Sequence, residues 1–500
     1  MEGRLDGNKV LFTHVTQGFS SDLSWRPAGD YSSSPRIVEG NNDNANGSAD
    51  GGVKNEDVIC VTPSSKDQAG VADGAPSHLI LLVDHEASDK SDAVPPHGSL
   101  VPVLRSLRAH NLPLPFLQSH EVPKLPPHLS VPSSAHGPNI HILISTHSGA
   151  GHASAFNSAV LQPLLSHLSI STTDYSIHHT QSATTLHDLT TTVFIPRARL
   201  SIPQTLILLS GDGGVHEISD SLLSPSFLPH PESYLAPTLC LVPLGTANAL
   251  AHSIQTPPTR TYGLSALLKG SPSPVPFLRA TFSPGSRPFP PDNTPLPVSA
   301  KQCPPTPILH AAIVVSYGLH ASLVANSDTP AYRAHGSSRF QLAAQELLHP
   351  PAGGPPHPYA ATVSFLPTNS PQPVTWTPIR RSNHAYILLS LVSNLEASFT
   401  ISPHSTPLSP RPHLIHFGAL PAEKIEALMQ AAYAGGKHVD DENVGDEVVE
   451  GTRVEMREAE GEWRRVCVDG RIVEVEEGGW VEVRRVIGRE EGEGAAMVVR

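Results

Sequence analysis

The segment LILLSGDGGVHEISDSLL, residues 206 to 223, constrains the chain most: an apolar run breaks into a glycine-rich turn with one aspartate and then resumes with helical periodicity. Leu206 to Leu209 read as a short buried strand, and Gly211, Gly213 and Gly214 permit close backbone approach where the next helix begins. Helix starts carry N–H groups with no partner inside the helix, so Ser210, Gly211 and Gly213 border a natural seat for an anion. Asp212 stands among donors suited to phosphate oxygens and would repel them. It therefore either accepts the proton of a substrate hydroxyl or holds a metal ion beside the phosphates. The structural alternative is a plain turn with Asp212 as a helix cap.

Two further units share this layout. In LCLVPLGTANALAHSI, Leu239 to Val242 read as a strand and Asn248 to Ile254 as a helix, with Gly245, Thr246 and Ala247 between them. Upstream, NIHILISTHSGAGHASAF alternates Ile140, Ile142 and Ile144 and enters a loop from Ser145 to Gly151. Phe156, Val160, Leu161, Leu164, Leu165 and Leu168 then fall on one helical face, with Pro163 as a kink. Three units of strand, glycine loop and helix within about 115 residues predict a parallel sheet whose loops line one edge, where a nucleotide could touch all three. No GxxxxGK[ST] string is present, and no GxGxxG opens a βαβ unit with a downstream acid, which excludes an ordinary P-loop enzyme and a standard dinucleotide dehydrogenase.

The order SGAG, SGDGGVHE, PLGTANALA resembles the catalytic domain shared by diacylglycerol, sphingosine and ceramide kinases, most closely the sphingoid-base branch. Downstream, SYGLHASLVANSDTPAYRAHGSSRFQLAAQELL, residues 316 to 348, and RRVCVDGRIVEVEEGGW near the end are similar to later elements of that family. The resemblance implies an ATP-dependent lipid kinase using Mg2+, with an αβ nucleotide domain followed by an antiparallel β-sandwich that takes the lipid. It implies that Asp212 is the general base toward the lipid's primary hydroxyl and that Glu217 lies by the nucleotide and metal. Ser145, Thr146, His147, Ser148, Gly149 and Gly151 form the first nucleotide loop, Thr180 a further nucleotide contact, and Gly245, Thr246 and Ala247 the next loop. Arg333 and Arg339 match two arginines that reach ATP phosphates, a task suited to their fixed charge and forked donors. Asp469, Gly470 and Arg471 match the terminal element that folds back on the nucleotide, although Asp469-Gly470 is equally a two-residue hairpin signal. Two other classes stay open: a lipid- or nucleotide-binding protein without catalysis, and a NAD kinase-like enzyme, which shares a similar GDG turn.

Several positions depart from the family's pattern. Ser145 replaces an asparagine, Ala150 and His152 replace basic residues, and Arg471 replaces a glutamate. Ser322 stands where sphingosine kinases carry an aspartate for the substrate's ammonium. An ammonium in an apolar pocket needs an anionic partner, and Asp328, six residues on, is the nearest candidate. The segment 407 to 414 lacks the acidic patch that some lipid kinases use for a structural metal. No His or Cys pair stands at ligand spacing, so no metal ligand set is assigned.

With 51 prolines in 500 residues, the chain has room for long insertions, and 270 to 308 and 349 to 380 read as such. The organisation expected is a disordered region 1–56, a small strand-containing region 57–135 placed against the C-terminal half, an αβ nucleotide domain 136–268, a β-sandwich lipid domain 269–486 and a flexible acidic tail 487–500. In the last part TRVEMRE, RRVCV, RIVEVE and WVEVRRV alternate apolar with charged residues, the mark of a meander with one wet face. No run approaches the roughly 18 apolar residues that span a bilayer, and no signal segment opens the chain. The expectation is a cytoplasmic protein, peripheral to membranes, making transient surface contact to collect its lipid; a homodimer is left open. The net charge of -13 disfavours nucleic acid. Cys60, Cys240, Cys303 and Cys467 are far apart and read as reduced thiols.

Overall fold

Strands Ile140–Ile144 and Thr205–Ser210 are buried along their whole length, as expected of parallel strands covered by helices on both faces. They are the centre of a six-stranded sheet in a computed structural model that describes residues 2–6, 8–17, 20–27, 51–64, 77–85, 101–130, 137–146, 148–254, 260–289, 307–368 and 375–500. Thr205–Ser210 pairs in parallel with Ile140–Ile144 on one side and Thr238–Pro243 on the other, and Ile140–Ile144 pairs with Tyr175–His179. All four strands point the same way, so the loops after them emerge at one edge.

The outer side of this sheet corrects the reading of the tail. Met497–Val499 lies between Thr238–Pro243, which it joins in parallel, and Pro272–Pro274, which it joins antiparallel. Ala495, Ala496, Val498 and Val499 are buried. The three apolar residues before Arg500 are therefore a strand of the nucleotide domain. The proline-rich stretch from 270 is likewise more than an insertion, because Leu278–Phe282 is a strand with Leu278, Ala280 and Phe282 buried; residues 290–306 lie outside the described residues.

Pro163 acts on its helix as its chemistry requires. A proline cannot donate to the turn before it, and the helix begun at Ala153–Phe156 widens into a π-turn over Asn157–Leu161 before continuing as Gln162–His167. Pro196 follows a second π-turn, Thr190–Phe194, in the same manner.

The C-terminal part is a curled antiparallel sheet. Among the described residues, ten of its strands form one continuous path, and Ala361–Pro367 and Thr377–Pro378 branch from it. The thirteen-residue strand Val444–Met456 passes between its two halves, pairing first with His413–Gly418 and then with Ala361–Pro367 and Trp480–Arg485. The four segments expected as a meander are strands but do not follow one another across the sheet: Val444–Met456 pairs directly with Trp480–Arg485, while Arg465–Val468 and Arg471–Glu474 form a hairpin, closed at Asp469 and Gly470, toward the other end of the strand path.

Residues near the start of the chain are also ordered into strands, contrary to the disorder expected over 1–56. Glu2–Leu5, Asn8–Gln17, Ser20–Pro27 and Gly51–Lys54 join Val58–Pro63, Ser77–Asp84 and Val103–His110 in one seven-stranded sheet, with Leu114–His120 following as a helix. Residues 28–50 lie outside the described residues. Among the described residues this sheet packs on the nucleotide domain, whereas the sequence had placed it against the C-terminal half. Ile59, Cys60, Leu81 and Val83 share a core with Phe156, Val160, Leu164 and Leu264 of the nucleotide domain. Arg260 ties the two by its ion pair with Asp57 at 3.2 Å and its backbone N–H to the Glu56 carbonyl.

Candidate active site

The three glycine loops meet. A Cβ at Gly149 would sit 2.3 Å from the Leu244 carbonyl oxygen, and one at Gly245 would sit 2.3 Å from the Gly211 Cα. Only residues without side chains allow this approach, and Gly149, with φ of 56°, also needs the left-handed backbone that glycine adopts freely. Serine hydroxyls join the first two loops: Ser148 donates to Ser145 at 2.6 Å, and Ser148 and Ser210 are 3.4 Å apart. The Ser145 N–H donates to the Leu209 carbonyl. Thr146 and Thr180 are locked together, with Thr146 N–H donating to Thr180 Oγ1 at 3.1 Å and Thr146 Oγ1 to the Thr180 carbonyl at 3.0 Å. Gly151 closes the first loop through its N–H to the Ser148 carbonyl. His147 lies outside the described residues.

Asp212 opens helix Asp212–Leu222, yet the helix it caps is the next one. Its Oδ2 accepts the Ala249 N–H at 2.7 Å and its Oδ1 the Leu250 N–H at 3.3 Å, at the start of helix Ala249–Ile254. Asn248, the residue at the cap position, is bent into the left-handed region with φ of 57°. Its side chain holds the loop instead, accepting the Gly245 N–H at 3.0 Å and donating to the Gly245 carbonyl at 2.9 Å. The carboxylate of Asp212 is thus fixed in orientation at a cleft lined by Ser210, Gly211, Val215, Pro243 and Asn248. Burial pushes its pKa up to about 6, and the two N–H donors only partly offset that; the nearby charge of Asp469 adds to the rise.

Gly213 differs from its neighbours. It is exposed, and a Cβ there would meet nothing within 4 Å. Thr246 is exposed and Ala247 half-buried on the facing loop. These positions fit a polyphosphate lying over the helix start, with Ser148, Thr180 and the first-loop backbone on its other side. For Mg2+, the described residues contain no group of three metal-ligating side chains. A magnesium ion carried by a triphosphate needs only one or two carboxylates from the protein, and Glu217 is the half-buried acid on this helix that would serve. Burial raises the Glu217 carboxyl, while the charges of His216 and Arg471 pull it down.

The terminal hairpin reaches the site in a form that the sequence did not reveal. Asp469 is no ligand contact: its side chain has 0% exposure, and its oxygens accept the N–H groups of Ala312 at 2.6 Å, Ile313 at 3.1 Å and Val314 at 2.7 Å. Its carboxylate is consumed by the backbone of the curled sheet. His216, also buried, faces it at 3.9 Å. Gly470, with φ of 91°, completes the turn. Arg471 leans onto the helix that starts at Asp212, 3.5 Å from Asp220, whose other oxygen accepts the His310 N–H at 2.9 Å. The charge reversal at 471 is therefore answered by an acid on the opposite element. His216 lies inside SGDGGVHE but carries no role there, and Asp220 stands beyond it, so only the helical spacing of three between Asp220 and Glu217 hinted at a place on this seam.

The remaining expected residues stand elsewhere. Arg333 and Arg339 direct their hydrogen bonds to Asp328, not to the glycine loops. Asp328 is accordingly not a spare carboxylate for an ammonium. Ser322 is buried beside the Tyr359 hydroxyl, which removes it from a ligand surface in this conformation.

Residues 139–280 match the profile of the diacylglycerol kinase catalytic domain. The chain thus carries a catalytic domain of that family, here the parallel sheet with its three loops and the first strands beyond it. No curated protein matches the sequence. Among solved structures, a diacylglycerol kinase from Bacillus anthracis str. Sterne is similar at 11% identity and a TM-score of 0.43, covering 73% of this chain and 98% of its own. A putative diacylglycerol kinase from the same organism matches at 12% identity and 0.44, with the same coverage. A yeast NADH kinase, solved with NADH, matches at 9% identity and 0.37, covering 73% of this chain and 83% of its own.

Proposed function

We propose that this protein is an ATP-dependent lipid kinase that transfers the γ-phosphoryl group of ATP to the primary hydroxyl of a lipid. The observation that carries the reading is the meeting of three glycine loops around one oriented carboxylate, within a segment of kinase type. ATP would supply the phosphoryl group, and a Mg2+ ion held beside Glu217 would offset the charge on it. In the transfer the acceptor oxygen bonds to the γ-phosphorus, the bond from that phosphorus to the bridging oxygen breaks, and the hydroxyl proton passes to Asp212. Loop backbones and helix starts hold the phosphates, Ala249 and Leu250 hold the base, and the curled sheet beside the cleft is the apolar surface for the lipid. The contact from Arg333 to Asp328 leaves a sphingoid ammonium without its expected partner, which favours a neutral acceptor over a charged one.

A second reading is supported by one observation. Both oxygens of Asp212 already accept backbone N–H groups, an arrangement that would equally suit a nucleotide-binding protein without transfer.

The test is transfer from labelled ATP with Mg2+ to sphingosine, ceramide, diacylglycerol and NAD, with the wild-type chain and Asp212→Asn. Transfer to a lipid should fall by about 10²–10⁴ in the variant while ATP affinity changes little, because a base acts in the transition state. With a pKa of about 6, Asp212 must lose its proton to act, so kcat/KM should be level above that pH and fall tenfold per pH unit below it. The same shift opposes folding: relative to an ordinary carboxyl at 3.8, stability is lost as pH rises through about 6, so Asp212→Asn should keep or raise Tm at neutral pH. ATP binding with no transfer to any acceptor would establish the second reading, and transfer to NAD alone would replace the lipid.

A further inference from the structure

Helix Ala249–Ile254, whose Ala249 and Leu250 N–H groups hold the Asp212 carboxylate, is six residues long. A helix this short has few hydrogen bonds of its own, and what it packs against sets its direction. Ala249, Leu250, Ala251 and Ile254 are buried, as befits an apolar helix in a core. Ser253 is buried with them at 5% exposure. Alanine would suit the helix better at this position, and a buried hydroxyl costs free energy unless it is hydrogen-bonded.

Its partner comes from the other domain. Beyond strand His384–Ser390 of the curled sheet the chain forms a small hairpin, Asn394–Glu396 with Phe399–Thr400, and the hairpin packs on this helix. The Asn394 N–H donates to Ser253 Oγ at 3.0 Å, and the Ser253 hydroxyl donates to the Asn394 carbonyl at 3.3 Å. One hydroxyl thus satisfies both backbone groups of a single residue. The hairpin is itself held in place. Asn394 Nδ2 donates to Thr400 Oγ1 at 3.1 Å, the Tyr433 hydroxyl donates to Glu396, and the Phe399 ring lies edge-on to Tyr433 with centres 4.8 Å apart. Leu395 and Phe399 pack against the same apolar cluster as Leu250 and Ile254. We propose that Ser253 is a positioning residue for the base: clasped by the hairpin, it fixes the helix whose first two N–H groups aim the Asp212 carboxylate. The inference rests on the kinase reading for the role of Asp212, and it makes the acceptor-side domain part of the geometry of transfer. The Gly245 loop has its own brace in the Asn248 side chain, so the nucleotide seat does not depend on Ser253.

The experiment compares Ser253→Thr with Ser253→Val in the full chain, two side chains of one shape of which threonine alone keeps the hydroxyl. Ser253→Ala removes the hydroxyl without the added methyl group. Backbone hydrogen exchange, read by mass spectrometry on a peptide spanning residues 245–254, should be about tenfold faster in the valine and alanine variants and unchanged in the threonine variant. With ATP and a lipid acceptor, kcat should fall about tenfold in the same two variants while KM for ATP stays within about twofold, and threonine should restore it. The acid limb of kcat/KM should move above a pH of about 6, because slack N–H groups stabilise the Asp212 carboxylate less while the charge of Asp469 beside it is unchanged. Added to Asp212→Asn, Ser253→Val should cost nothing more, since it acts through that carboxylate. An alanine variant that exchanges and turns over as the wild type does would overturn the inference. So would equal losses in the threonine and valine variants, or a loss of kcat that persists in full on the Asp212→Asn background. A chain that transfers to no acceptor would end the kinase reading, and the exchange measurement would still decide whether the hairpin holds this helix through Ser253.

Discussion

Gly213 and Gly211 are two residues apart and do opposite things. A side chain at Gly211 would meet the Gly245 Cα at 2.9 Å, so that glycine is required by the fold itself. Gly213 has open space beside it. Gly213→Ala should therefore fold at least as well as the wild type, with a gain of up to about 1 kcal/mol from helix propensity, while the new methyl group obstructs a ligand at the helix start. The expected result is an unchanged or higher Tm with a KM for ATP raised about tenfold or more; an unaltered KM would show that no phosphate lies there. Glycines such as these were legible in the sequence because their reason is local, a turn beside a strand. Carboxylates away from that turn were not. Asp469 has its donors 155 to 157 positions away, and nothing near it in the chain distinguishes a buried acceptor from a ligand contact. Asp328 was read as a partner for a cation and is one, but the cations are Arg333 and Arg339, five and eleven positions on.

At the scale of elements, the parallel strands were readable from local pattern, since Leu206 to Leu209 form an unbroken apolar run and Ile140, Ile142 and Ile144 alternate. The tail was not readable. Met497–Val499 is three residues long and follows an acidic, glycine-rich run, and its pairing with Thr238–Pro243 is set by contacts that no local pattern encodes. The consequence can be measured. Removing residues 496 to 500 strips buried Ala496, Val498 and Val499 from the sheet and leaves Pro272–Pro274 without its partner strand. Each buried valine is worth about 1.5–3 kcal/mol. The shortened chain should melt about 5–15 °C lower, with weaker ATP binding because Thr238–Pro243 leads directly into the loop at Gly245. An unaltered melting curve would mean that the strand is dispensable to the nucleotide domain.

For the molecule as a whole, the three layers share cores and do not merely adjoin. Val215, Ile218 and Leu222 on the helix begun by Asp212 belong to the same apolar cluster as Ala311, Val314 and Val468 of the curled sheet, so the helix that carries the carboxylate is packed into the core of that sheet. The hairpin at Asp469 crosses this seam, with Arg471 on Asp220. On the other side the N-terminal sheet covers the helices behind the first loop, packing Ile59, Leu81 and Val83 against Phe156, Val160 and Leu164. The helix that carries the first loop's outgoing chain thus shares its apolar core with this sheet as well as with the parallel strands. A chain beginning at residue 137 would expose part of that core together with Leu264 and Leu268, a contiguous patch of the kind that drives association. It should elute from size exclusion as aggregates, or refold only with a much lower Tm, although every residue of the glycine loops is retained. Replacing Leu81 by Asp in the full chain places one charge at 0% exposure in the same interface and should lower Tm by several degrees without touching the cleft. A truncated chain that stays monomeric, binds ATP as the full chain does and melts at the same temperature would make the N-terminal sheet an independent module, and the shared core would then contribute nothing to the site.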